Sequence, residues 1–132
     1  MEIEIDPKKR GVGKTVLVVD DYALIRKKLA AAFLSDGFKT CGEAENGAEA
    51  LEMAERIRPD VIILDFMMPV MNGLEAAPRL RKVLPNTPII LFTQYEDSLS
   101  KAEASKAGVS LVLSKTVPLS TLIDKAHELM GN

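Results

Sequence analysis

The chain has 132 residues, about half of them apolar and about a quarter charged, with a net charge of −2. That length gives one domain with a sizeable core, and that charge excludes a dedicated nucleic-acid binder, which needs a strongly basic face. The single cysteine, Cys41, rules out an intrachain disulfide and fits a reducing compartment. No apolar run approaches the roughly 18 residues of a membrane span, and the charged N-terminus lacks the apolar stretch of a secretory signal. A cytoplasmic protein without membrane insertion is expected.

Residues 1–13 alternate charged and apolar residues, then turn basic and glycine-rich, and read as a tail or loosely docked arm ahead of a domain over 14–131. Thr15 to Val19 is a β-branched, apolar strand running into Asp20-Asp21. Ile25, Leu29, Ala32 and Phe33 mark one face of a helix that Asp36-Gly37 stops. Phe38 to Ala44 is a more polar strand, suited to a sheet edge. Asn46-Gly47 opens a turn or helix. Its face is Ala50, Leu51, Ala54 and Ile57, and it ends before Pro59.

Val61 to Leu64 is a continuous apolar run, the signature of a strand buried on both faces, and it leads directly into Asp65. A third helix is expected from Asn72-Gly73 to about Leu84, with a kink or a late start at Pro78, which lacks the N–H that would bond to Leu74. Ile89 to Phe92 is a fourth strand, ending at Thr93. Asp97 or Ser98 is the expected cap of a helix running to Ala107, which Gly108 ends. Val109 to Leu113 is a fifth strand, ending at Ser114-Lys115. Pro118 suits the first turn of the last helix, whose core face is Leu119, Leu122, Ile123, Ala126, Leu129 and Met130. Strand and helix alternate five times with short connections. That implies an α/β fold, a doubly wound parallel sheet with helices on both faces.

In such a sheet all strand ends lie on one edge, where ligands bind. Asp20, Asp21, Asp65, Thr93 and Lys115 therefore meet there. Clustered carboxylates repel one another, and a hard divalent cation such as Mg²⁺ relieves the repulsion with oxygen ligands. A carboxylate in that setting can attack phosphorus to give an acyl phosphate. The cation and a lysine would balance charge on the phosphoryl oxygens, and a hydroxyl could bond one of them.

The runs VLVVDD at 16–21, VIILDFMMPVMNG at 61–73, PIILFT at 88–93 and AGVSLVLSK at 107–115 resemble the CheY-like receiver domain of two-component response regulators, over residues 15–130. The resemblance implies a flavodoxin-like, five-stranded sheet of order 2-1-3-4-5. Asp65 would be the phosphoacceptor. Asp20 and Asp21 would bind Mg²⁺, with Asp21, Asp65 and the Met67 backbone carbonyl as direct ligands. Lys115 would pair with the phosphoryl group, and Thr93 would be the switch hydroxyl. The donor would be a phosphohistidine on a sensor histidine kinase or a phosphotransfer protein. An output partner would meet the fourth helix, fifth strand and fifth helix of a monomer or phosphorylation-dependent dimer.

The sequence departs from the family in three places. The family's lysine is followed by proline, whereas here the run is Lys115-Thr116-Val117-Pro118. A trans bond, a different loop and a less firmly held Lys115 are expected. Val112 stands where the family has an aromatic switch residue, and Gln94 where it has a small one. With Tyr95 and Met67 close by, slow self-dephosphorylation is expected.

Other features carry less. Gly11-Val12-Gly13-Lys14-Thr15 resembles the end of a phosphate-binding loop, but Lys8 stands where a glycine is needed and a strand follows instead of a helix. His127 reads as a boundary residue, Lys8-Lys9-Arg10 as a solvated arm, Cys41 as a packing residue and Met67, Met68 and Met71 as loop packing. Two rival functions are a receiver cut from a longer DNA-binding regulator, since a linker would begin near Asn132, and an aspartate-nucleophile phosphohydrolase. The second would carry an acid two residues after Asp65, where Met67 stands. A turnover enzyme is therefore not expected.

Overall fold

The computed structural model describes residues 10–131. Five strands alternate with five helices: β1 (Thr15–Val19), α1 (Ala23–Ser35), β2 (Thr40–Ala44), α2 (Gly47–Ile57), β3 (Val61–Leu64), α3 (Gly73–Val83), β4 (Ile89–Thr93), a 3₁₀ turn over Glu96–Ser98, α4 (Lys101–Lys106), β5 (Leu111–Ser114) and α5 (Leu119–Met130). All the strand pairs are parallel and the order is β2-β1-β3-β4-β5. This is the flavodoxin-like arrangement, with β2 at one edge as its polar composition implied. No helix among the described residues is long and apolar enough to cross a membrane.

The continuous apolar runs are explained by two cores, one on each face of the sheet. Leu17, Val19, Ile62, Leu64, Ile89 and Leu91 point to one side and meet Ala50 and Ala54 of α2, Ala76, Ala77 and Leu80 of α3, and Ala104 of α4. Val16, Val18, Val61, Ile63, Ile90 and Phe92 point to the other and meet Leu29 and Phe33 of α1 and Leu122 and Ala126 of α5. Alternate residues of one strand thus serve different cores, and every position of β1, β3 and β4 is buried.

Several local expectations give way. Phe38 lies outside β2 and makes only an antiparallel bridge with Val12. Helix α3 starts at Gly73, not late, and runs through Pro78. Asn72 accepts the Glu75 N–H at 2.9 Å while Glu75 accepts the Asn72 N–H at 3.2 Å, a reciprocal cap that fixes the start ahead of the proline. Pro78 is on the exposed face, where water can serve the carbonyl its ring leaves unbonded. Helix α4 is capped by Ser100, whose Oγ accepts the Glu103 N–H at 3.1 Å; Asp97 and Ser98 belong to the 3₁₀ turn before it. Pro118 is the residue before α5 instead of its first turn, and Leu129 is exposed.

His127 is fully buried, not at the boundary. Its Nε2 lies 2.7 Å from Asp36 Oδ2 and its ring tilts against Phe38. The same corner receives residues 10–13. Gly11 donates to Asp36 O at 3.0 Å, and its backbone lies so close to the Phe38 ring that a Cβ would sit 2.1 Å from it. Arg10 pairs with Asp124 of α5. Arg10, Gly11 and Val12 thus each contact the domain; residues 1–9, including Lys8 and Lys9, lie outside the described residues. The Cys41 thiol is pushed up to about 12 by burial and then by the Glu43 charge, which fits a packing role.

The exposed proline in α3 gives a direct test of its cost. Pro78→Ala restores one helical hydrogen bond and should raise stability by about 1–3 kcal/mol, read as a higher urea midpoint; an unchanged midpoint would show that the ring costs the helix nothing.

Candidate functional site

Strand register decides which polar residues meet. Val19 pairs with Leu64, and the Asp65 N–H donates to Val19 O at 2.9 Å, so Asp20 and Asp65 leave the sheet side by side. Asp21 follows on the exposed turn into α1. Carboxylate oxygens of Asp20, Asp21 and Asp65 all lie within 4.8 Å of one another. Asp20 is 1% exposed and Asp65 7%, so two of the three charges are held away from water. The Asp20 carboxylate is aimed by the Tyr22 N–H, which donates to Oδ1 at 2.9 Å.

Lys115 arrives from β5. Its N–H donates to Thr93 O at 2.9 Å, and its Nζ lies 2.8 Å from Asp20 Oδ2 and 3.2 Å from Asp65 Oδ2. It makes these contacts without the proline. No described peptide bond is cis, and the turn is held instead by Ser114 Oγ, 2.8 Å from Thr116 Oγ1 and accepting the Thr116 N–H at 3.1 Å. Thr93 is fully buried at the end of β4, and its Oγ1 accepts the Tyr95 N–H at 3.1 Å. Tyr22, Met67, Gln94 and Tyr95 line the cleft over Asp65. Val112 packs half-buried against the first core and offers no aromatic ring.

Burial first, and the Asp20 charge second, push the Asp65 carboxyl from 3.8 up to about 6, against the relief given by Lys115. For Lys115, burial pulls the ammonium down, but the hydrogen bond to Asp20 and the Asp65 and Asp20 charges outweigh it, and its pKa is raised. Three carboxylates with one ammonium leave the cluster net negative. Hard oxygen donors that close, with charge to spare, fit a small divalent cation.

The family profile of the response regulator receiver domain matches residues 16–127. The chain belongs to the response regulator receiver family. The receiver is 34% identical over 117 residues to the chemotaxis protein CheY of Thermotoga maritima, covering 89% of this chain and 98% of that one. It is 38% identical over 116 residues to a putative transcriptional regulator of Pseudomonas aeruginosa, covering 88% of this chain but only 56% of that protein. Among solved structures, the response regulator domain of Thermotoga maritima CheB superposes with a TM-score of 0.79 at 30% identity, covering 90% of this chain and 97% of that one.

Two features of the receiver's site had no sequence signal. Val70 has φ +69° in the loop before α3, and the Met71 N–H donates to Pro69 O at 2.7 Å across it. A β-branched residue is disfavoured there, so nothing at that position advertised the turn. Arg26, charged and in the middle of an apolar helix face, is buried beneath Asp20.

The raised Asp65 carboxyl sets a pH dependence. Between its ordinary 3.8 and about 6 the folded chain holds a proton that the unfolded chain has lost, so this group's contribution to stability falls as pH rises through that window. Asp65→Asn, always neutral, should raise the thermal midpoint of the metal-free protein at neutral pH, and the gain should vanish on acidification below the ordinary carboxyl value. A gain independent of pH would contradict the assignment.

Proposed function

We propose that the domain over residues 14–131 accepts a phosphoryl group on Asp65 from the phosphohistidine of a sensor histidine kinase or phosphotransfer protein, and that the adduct switches its conformation to control a partner. The observation that carries this reading is the Asp20, Asp21, Asp65 and Lys115 cluster on one sheet edge of a receiver fold. An Asp65 carboxylate oxygen attacks phosphorus, the P–N bond breaks, and the imidazole leaves with the bonding electrons. Lys115, already 3.2 Å from Asp65, meets the charge on one phosphoryl oxygen. Thr93 bonds another and draws with it the Gln94–Tyr95 segment tied to its Oγ1.

Asp20, Asp21 and Asp65, with the Met67 carbonyl, would hold Mg²⁺. When bound, the cation supplies positive charge to the equatorial oxygens of the transferring group. The protein turns over no other substrate, acts in the cytoplasm, and signals through α4, β5 and α5. It works as a monomer or as a dimer formed on phosphorylation. A second reading, a receiver joined to a DNA-binding domain, is favoured by the relative of which this chain spans 56%.

Intact mass after incubation with acetyl phosphate and Mg²⁺ tests the reading. Wild type should gain one phosphoryl group, and Asp65→Asn, or wild type with a chelator, should gain none. A wild type that stays unmodified by both acetyl phosphate and a panel of sensor kinases would refute it. The Met67 and Tyr95 side chains over Asp65 should also slow loss of the adduct by shielding it from water. The double change Met67→Asn, Tyr95→Ala should shorten the half-life of the phosphorylated form, and a wild-type half-life of seconds would sink the shielding idea.

A further inference from the structure

The strand β1 ends at Val19, yet the Asp20 backbone beyond it is tied at both its N–H and its C=O. Its N–H donates to Ala44 O of β2 at 3.0 Å. Its C=O accepts from Arg26 Nη1 of α1 at 2.8 Å. The same guanidinium places Nε 3.2 Å from Glu43 Oε1 of β2, and Glu43 also takes Lys27 Nζ at 3.1 Å. Arg26 is 9% exposed.

A buried guanidinium is costly to desolvate, and a leucine at this place in α1 would extend the apolar face without that cost. What the guanidinium supplies is geometric. Its planar fork carries donors in fixed directions, so one group can engage a carbonyl and a carboxylate at once. The two contacts tie α1 at once to the Asp20 carbonyl at the end of β1 and to the Glu43 side chain of β2. The Asp20 side chain in turn is aimed by Tyr22 N–H and paired with Lys115.

We infer that Arg26, braced by Glu43, is a positioning residue that fixes the Asp20 carbonyl and so sets the affinity of the acidic cluster for a divalent cation. This rests on the reading of Asp20, Asp21 and Asp65 as the cation site. Arg26 touches no reacting atom. It acts by holding a cation-binding carboxylate in place before the ion arrives, so that binding need not order it.

The experiment is a Mg²⁺ titration by calorimetry on the full chain, with folding checked by circular dichroism. Arg26→Met should weaken Mg²⁺ binding about tenfold or more, the scale of losing a group that orients a metal ligand. Arg26→Lys, which keeps the charge but not the fork, should fall between it and wild type, and Glu43→Gln should weaken binding less than Arg26→Met. Leu122→Ala, in the core against α5, should lose stability and keep its Mg²⁺ affinity. Wild-type affinity in folded Arg26→Met overturns the positioning role, as does equal weakening in Leu122→Ala, which would reduce the effect to general stability. If Arg26→Met does not fold, Arg26→Lys and Glu43→Gln decide by the same criterion. A wild type that binds no Mg²⁺ refutes the underlying site reading instead, so the two failures are told apart.

Discussion

Two buried carboxylates, Asp20 and Asp65, share a single ammonium, and much of the architecture serves that arrangement. Like charges this close in a poorly solvated pocket repel strongly, and Lys115 offsets only part of the repulsion. The carboxylates come from neighbouring central strands, which brings them together without any reach. Lys115 comes from the far edge of the sheet. At roughly 4.8 Å per strand, β5 is about 10 Å from β3 and about 14 Å from β1, so a long side chain and the right-handed twist of the sheet are both needed to bring the charge across. The cluster stays electrically unfinished, with more negative than positive charge.

The backbone around Asp65 is as constrained as its charge. The Gly73 N–H donates to Phe66 O at 2.8 Å, and a Cβ on Gly73 would lie 2.5 Å from Asp65 O. Helix α3 can start this close to the end of β3 only because that position has no side chain. The reciprocal cap between Asn72 and Glu75 then locks the start. The residues from Asp65 to Glu75 therefore act as one unit: strand end, strained Val70 turn, capped helix. In this light Pro78 is a small defect tolerated downstream of a strongly determined start.

How much of this could be read from the chain follows from what each signal measures. Buried parallel strands announce themselves as apolar runs, and their polar ends fall on one edge by topology, so the doubly wound sheet and the approach of Asp20, Asp21 and Asp65 were legible, whereas the strand order came from the family resemblance. Local competition was harder to read. Asp97, Ser98 and Ser100 are all good caps, and only the extended backbone at Leu99 selects Ser100. His127 looked peripheral because its partner, Asp36, is 91 residues away in the chain. Arg26 was missed for a related reason: a charged residue in a helix reads as solvent-facing unless the distant carbonyl and carboxylate that satisfy it are known. Polar groups paired across long sequence separations leave no local pattern.

Burial is uneven across the sheet, and this has a consequence for how the molecule opens. All residues of β1, β3 and β4 are buried, whereas all four of β5 are only half-buried. Beside β5 lies α4, only six residues long, with Ala104 its one buried side chain. Apolar contact is what opposes local unfolding, so backbone amides of α4 and β5 exchange with solvent through openings of lower free energy than those of the three central strands. The receiver is thus graded from a rigid centre that holds the acidic cluster to a soft quarter built from α4 and β5.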